Sequence, residues 1–527
     1  MDVAAFIFCT AALGVAVLYP TVRLLIRAAW EWQPQAIVAG DGWTAVVNTL
    51  VMSFASVACS GVVGTALAVL LTQYDFPGRA TLGGLAYLPL TLPPLVGVLA
   101  FYFLIGRDGI FPVAMERWFG LADCAPRGPI AILLIHTYSF YVFFYSMASS
   151  ALSGLDPSLI EAARTLGASR IHAFRRVTLP LLRPALVGAA LLTFMTSGAS
   201  FSAPLIFGND YPMLSVRIYE EMSKYNEAGA LTLTVLLAGV SLLGVLVFRT
   251  RRAGGGGSKG VRRAVRSRAG RWAAGVFSAA SIVLLLTPHL AIVWLSFVDH
   301  QAWTTELIPT TFTWSNYVEI FQDPRAFAPI RNSLWMSATA AAATLLVGVP
   351  AGYLIGRRRP GGRWVNLAVM IPWALPGTVV AMNLIVAFND PWLPRGVLAF
   401  ILPTAYFVRN IPLLTRMAAA SIASFDATLI EAGRTLGATP LRCMVVIAGP
   451  LIAPGLIAAT ALVFALSLGE FVASILLYRP NTLPIAVQIN MQLRGSGIGS
   501  GFAYSVLLLI LVTVTFVAAR RFSSRVI

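Results

Sequence analysis

Apolar stretches recur along the chain at the length a bilayer crossing requires, roughly 20 residues of helix. They fall near residues 3 to 22, 43 to 72, 83 to 105, 129 to 153, 184 to 206 and 229 to 248, and again near 272 to 296, 332 to 356, 364 to 388, 396 to 421, 451 to 477 and 503 to 519. The pattern predicts an all-α polytopic membrane protein of about twelve transmembrane helices, six in each half. The first stretch has no basic n-region and no cleavage site ahead of a polar domain, so it reads as a retained span. Several spans contain Pro or Gly, as in LPLTLPP with Pro89, Pro93 and Pro94. Lipid tolerates such breaks only where neighbouring helices or a water-lined path satisfy the freed backbone groups.

Composition agrees. Of 527 residues 58% are hydrophobic and 11% charged, against about a quarter charged in soluble domains. The excess of 38 basic over 21 acidic residues, +17, would suggest nucleic acid in a soluble chain. In a membrane chain it reads first as cytoplasmic-loop bias, and no nucleic-acid partner is expected. The run Arg249, Arg251, Arg252, Lys259, Arg262, Arg263, Arg266, Arg268 and Arg271 anchors the middle of the chain inside. Counting spans from it puts Arg357, Arg358, Arg359 and Arg363, the loops at 154 to 183 and 422 to 450, and both termini inside as well. Arg23 and Arg27, near the outer end of the first span, dissent. The linker over 251–271 is Gly-rich and basic, and its GGGGSKG does not make a phosphate loop, which needs GxxxxGK followed by Ser or Thr between a strand and a helix. Cys9, Cys59, Cys124 and Cys443 lie singly, without disulfide or zinc spacing.

An internal repeat organises these spans. LDPSLIEAARTLGASRIHAFRRVTLPLLRPAL (155 to 186) aligns without a gap on FDATLIEAGRTLGATPLRCMVVIAGPLIAPGL (425 to 456), at an offset of 270. Upstream, NTLVMS at 48 matches NSLWMS at 332, and Pro89 and Pro93 match Pro372 and Pro376. The repeat divides the chain into a first unit over 1–250, the linker, and a second unit over 272–527. With an even number of spans per unit the halves enter the membrane in the same sense, which sets the two repeated loops side by side on one face.

Those loops read as short helices with a sharp end. Asp156 suits an N-cap, Pro157 a first helical position and Gly167 a left-handed C-terminal cap. Ser169, and Thr439 before Pro440, can cap a second helix. Leu159, Ile160, Ala163 and Leu166 supply an apolar side; Glu161, Arg164 and Thr165 supply a polar one. Such a helix could lie on lipid headgroups, but the recurrence of Glu, Gly and Pro in both halves points to a protein partner. The segments EAARTLG and EAGRTLG, with LP or GP ending 13 residues after the Gly, resemble the EAA loop of importer-type ABC transporter permeases. The second copy departs at Gly433 and Gly449. The resemblance covers nearly the whole chain as two fused six-helix units of the type I importer permease fold, and is nearest to permeases for ferric iron, with thiamine, phosphonate and polyamine relatives. It implies a non-catalytic subunit of a bacterial inner membrane. Two copies of an ATPase would dock at loops 155–183 and 425–453 through Glu161, Ala162, Arg164, Gly167, Glu431, Ala432, Arg434 and Gly437. ATP and Mg would be bound by those partners, with no cofactor in this chain, and an external substrate-binding protein would deliver cargo.

Ionisable residues at membrane depth are functional candidates. Arg409 and Glu470 stand out; their repeat counterparts are Ser139 and Ser200. In one reading Glu470, with Ser200, Phe201 and Phe471, lines the pathway and contacts a cationic or hydrated substrate. In the other, Arg409 and Glu470 pair and lock adjacent helices. His136 and His289 read as hydrogen-bonded packing residues. No metal site, HExxH, catalytic triad or carboxylate pair is found. An ion-coupled secondary transporter is the competing class, but it calls for several membrane carboxylates or histidines, and the chain has few.

Overall fold

A computed structural model describes residues 2–38, 41–248, 263–264, 267–299, 311–388, 398–426, 428–439, 442–495 and 497–525. Most of the basic linker lies outside these residues. Within them, ten helices are long and apolar enough to cross a membrane, or twelve if two sharply bent pairs each count as one span. Tyr74–Asp75 and Arg263–Ala264 pair as two short parallel strands, and an antiparallel bridge joins Val298 to Phe312.

Four predicted spans are not continuous helices. The stretch 83 to 105 is cut by Pro89, Pro93 and Pro94 into Arg79–Leu85, a 3₁₀ turn and Pro94–Ile105, because consecutive prolines lack the N–H groups a helix needs. The stretch 364 to 388 is two helices, Gly362–Ala374 and Gly377–Phe388, bent by 111°. Leu375 between them is extended, as a residue preceding proline prefers. The stretches 184 to 206 and 451 to 477 break at equivalent places. Helix Leu179–Gly198 stops before Ser202–Phe207, and Gly449–Leu468 stops before Ser474–Leu477. At each break the carbonyl matched by the repeat is bound by a serine hydroxyl: Ser215 donates to the Ser200 carbonyl, and Ser474 donates to the Glu470 carbonyl at 2.6 Å. In the first half the amide that would have served Ser200 belongs to Pro204, which has none.

The two units are not self-contained. The first helix, Asp2–Trp30, packs Cys9, Leu13 and Val17 against Met336, Val347, Ala351 and Val369 of the second half. The first helix of the second unit, Arg268–Leu295, returns the exchange. Its Leu285 carbonyl accepts from the Tyr138 hydroxyl at 3.0 Å, and Leu285 packs with Leu82 and Leu182. Arg27 is neutralised by Glu31 at 2.8 Å and Glu227 at 2.9 Å, which explains how it is tolerated near the end of the first helix.

The repeat is also visible in polar clamps that sequence matching left without a role. Asn48 Nδ2 donates to the Pro212 carbonyl and Asn332 Nδ2 to the Leu483 carbonyl. The next residues, Thr49 and Ser333, accept from the Leu214 and Ile485 amides at 3.0 and 2.8 Å. In each half the second long helix thus pins the start of the next α-helix beyond that short one, Leu214–Ser223 and Ile485–Arg494.

Candidate functional site

The two helix breaks face one another across a cavity of about 360 Å³. Residues of both halves line it, among them Thr91, His136, Ser139, Ser200, Phe201 and Arg409. Phe201 and Phe471, matched by the repeat offset of 270, touch with ring centroids 5.7 Å apart, and each is 1% exposed. The internal pseudosymmetry therefore passes between them.

The halves furnish their breaks differently. In the first, the imidazole of His136 is surrounded by hydroxyls: Nδ1 lies 3.0 Å from Ser56 Oγ and 3.1 Å from Ser197 Oγ, and Nε2 lies 2.9 Å from Ser200 Oγ. In the second, Tyr406 takes the place of His136 and bonds Ser474 at 2.8 Å, while Asn410 donates to Ser467, the counterpart of Ser197. Arg409 and Glu470 form an ion pair, Nε to Oε2 at 2.8 Å. Glu470 Oε1 also accepts from the Ala473 amide at 3.0 Å, fixing the chain on the far side of the break. Gly377, at the bend between Ala374 and Thr378, leaves room for the Arg409 guanidinium where a Cβ would collide with Nη1.

The locking pair is thus present, and it changes which charge meets the cavity. Arg409 is 32% exposed and lines the space; Glu470, 11% exposed, sits behind it. Ser200 and Phe201 line the cavity, with Phe471 packed behind Phe201. His136, read as a packing residue, is hydrogen-bonded and also reaches the cavity wall. Its signal in the sequence was a lone histidine within an apolar span, aligned by the repeat on Tyr406. Among the described residues no cluster of His, Cys, Asp or Glu could hold a metal ion.

The repeated loops form capped helices, Pro157–Thr165 and Thr428–Thr435. Asp156 accepts from the Ser158 amide and Asp426 from the Thr428 amide, each at 2.9 Å, and these bonds hold both carboxyls below the usual carboxylate range. Gly167 and Gly437 take φ of +86° and +83°, the left-handed conformation that ends each helix. Glu161, Ala162, Arg164 and their counterparts Glu431, Ala432 and Arg434 are all exposed. The expected apolar side is corrected at two of its four residues. Leu159 is 47% exposed, and Leu166, like its counterpart Leu436, stands 88% exposed at the C-terminal turn.

The Gly433 departure has a packing reason. Gly433 is buried, and a Cβ there would lie 2.6 Å from Ile447 Cδ1 and 3.1 Å from Cys443 Sγ. In the first copy the same three places hold Ala163, Ala173 and Val177, so bulk has moved from the helix to the segment beneath it. Gly433→Ala is expected to cost about 1 kcal/mol of stability through overpacking. Gly433→Ala with Ile447→Val should regain most of it in thermal unfolding of the purified chain; equal losses would reject the exchange.

The sequence family described as the inner membrane component of binding-protein-dependent transport systems matches this chain twice, over residues 60–251 and 348–527. Similar proteins include the probable ABC transporter permease protein y4fN of Sinorhizobium fredii, 29% identical over 84% of this chain and 81% of that protein. The ferric transport system permease protein FbpB of Actinobacillus pleuropneumoniae is 27% identical over 88% of this chain and 70% of its own length. The molybdenum transport system permease protein ModB of Escherichia coli is 30% identical over its whole length and 45% of this chain.

Proposed function

This chain belongs to the family of binding-protein-dependent transport system inner membrane components, and from that we propose how it works as the permease of an ABC importer, with ferric iron as its cargo. The observation that carries the mechanism is a pair of rods. Helix Ile171–Gly198 runs from the first capped loop helix to the break at Ser200 and Phe201. Helix Val445–Leu468 runs from the second to the break at Glu470 and Phe471. A displacement of either loop is delivered through about 40 Å of helix to the point where the halves meet. Two ATPase subunits would grip the loops through exposed Leu166 and Leu436, with Glu161, Ala162, Arg164, Gly167, Glu431, Ala432, Arg434 and Gly437 around them. Closure of the ATPase dimer, which holds ATP and Mg, would draw the loops together and rock the halves about the Phe201–Phe471 contact. This chain itself catalyses no reaction.

With each bent pair counted as one crossing, the loops share a side with both termini, the cytoplasmic side by the basic-residue bias. A binding protein would deliver cargo to the opposite face. Ferric iron is the choice because the relative named for it aligns over 88% of this chain, whereas the molybdenum permease aligns over 45%. The test is uptake of labelled ferric iron by vesicles holding the chain with its ATPase and binding protein. Uptake that requires ATP and survives collapse of proton and sodium gradients is expected. Uptake driven by either gradient without ATP returns the chain to the ion-coupled class.

A further inference from the structure

The cavity between the helix breaks has a chemical sign. Among the described residues, none of the side chains lining it is acidic, and Arg409 joins His136 as a basic side chain and is its one guanidinium. Glu470 engages the Nε edge of that guanidinium, and no hydrogen bond to either Nη group occurs among the described residues. The pair is neutral as a whole, but it is oriented: Arg409 lines the space and Glu470 does not, and Nη1 lies over Gly377, another residue of the cavity wall. Ser202 adds a second, independent mark. It is 4% exposed and lines the cavity, yet its hydroxyl has no hydrogen-bond partner. A buried unmet hydroxyl costs stability unless something fills the site. Ser139, the repeat counterpart of Arg409, faces the same space.

A bare trivalent cation entering this cavity would meet the donor edge of a guanidinium with no open carboxylate to offset it, at a depth where charge is weakly screened. Anionic oxygens meet the reverse: a planar fork of donors suited to paired oxygen acceptors, with hydroxyls beside it. We propose that the cavity holds cargo by anionic oxygens, with the Arg409 Nη groups and the Ser202 hydroxyl as donors and Glu470 as the residue that positions Arg409. The oxygens belong either to a free oxyanion or to the oxyanion ligands of a ferric complex, so iron crosses dressed rather than bare. This rests on the permease reading for its direction of flow, but binding to the isolated chain does not.

The experiment is calorimetric titration of the full chain in lipid nanodiscs with sodium phosphate, sodium molybdate, ferric citrate and citrate alone, against a chloride control. At least one oxyanion-bearing probe binds, and Arg409→Gln with Glu470→Gln weakens it by about tenfold or more, the loss expected for a charge-assisted contact. That double variant removes both charges together, so no orphaned carboxylate disturbs folding. Glu470→Gln alone keeps the donor charge and an amide oxygen that can still accept from Arg409 Nε and position it, so binding is retained. Phosphate or molybdate binding assigns a free oxyanion; ferric citrate binding without citrate binding assigns the complex. The proposal is overturned if no probe binds, if the double variant binds like the parent, or if Glu470→Gln alone abolishes binding. ATP-driven iron uptake alongside such a failure would leave the permease reading standing, and anion binding without any ATP-driven uptake would sink that reading alone.

Discussion

Arg409→Ala is expected to destabilise the folded chain by about 3 kcal/mol, the lower end for breaking an ion pair in a buried setting, because the guanidinium is partly open to the cavity. The cost comes from Glu470. At 11% exposure it would keep its bond to the Ala473 amide but lose its countercharge within the membrane. Arg409→Ala with Glu470→Ala should therefore recover more than half of the loss, since it leaves no unpaired charge, while uptake stays low in both variants. Thermal unfolding in detergent measures the first effect and vesicle uptake the second. A double variant no more stable than Arg409→Ala would mean that the carboxylate is not the source of the loss.

The other large effect belongs to the loops. Leu166→Asp and Leu436→Asp should each weaken retention of the ATPase by about tenfold or more, as expected where an exposed apolar side chain anchors an interface, and together should abolish ATP-driven uptake. Both leucines are 88% exposed, so stability of the chain itself should change by no more than about 0.5 kcal/mol. Co-purification of the ATPase with the tagged chain is the measurement. Full retention by the double variant, with uptake unimpaired, would assign these helices to the lipid headgroups instead. Gly433→Ala acts on the same element from beneath and should affect stability more than docking.

Much of this architecture is legible along the chain because the determining signals are local or repeat at a fixed offset. Apolar length marks the spans, and the exposed loop helices follow from Asp156, Gly167 and their counterparts, whose capping depends on immediate neighbours. The continuity of the spans was less legible. The apolar stretches 184 to 206 and 451 to 477 run past both breaks, since the apolar residues on either side outweigh Ser200 and Glu470 where the helical backbone stops. Pro204 was a visible cue, but the Ser215 hydroxyl that relieves the Ser200 carbonyl comes from another element.

By itself the sequence determined the membrane class, the internal repeat, the repeated loop helices and the candidate pair Arg409 and Glu470. Each of these depends on composition, periodicity or self-similarity. Only the tertiary structure decided that the first helix of each unit lies against the other, that the breaks meet at Phe201 and Phe471, and that Arg409 rather than Glu470 fronts the cavity. The reason is that a charge pair is symmetric in sequence, whereas which partner faces open space depends on the packing around both. Here Gly377, distant along the chain, leaves the room in which the guanidinium sits.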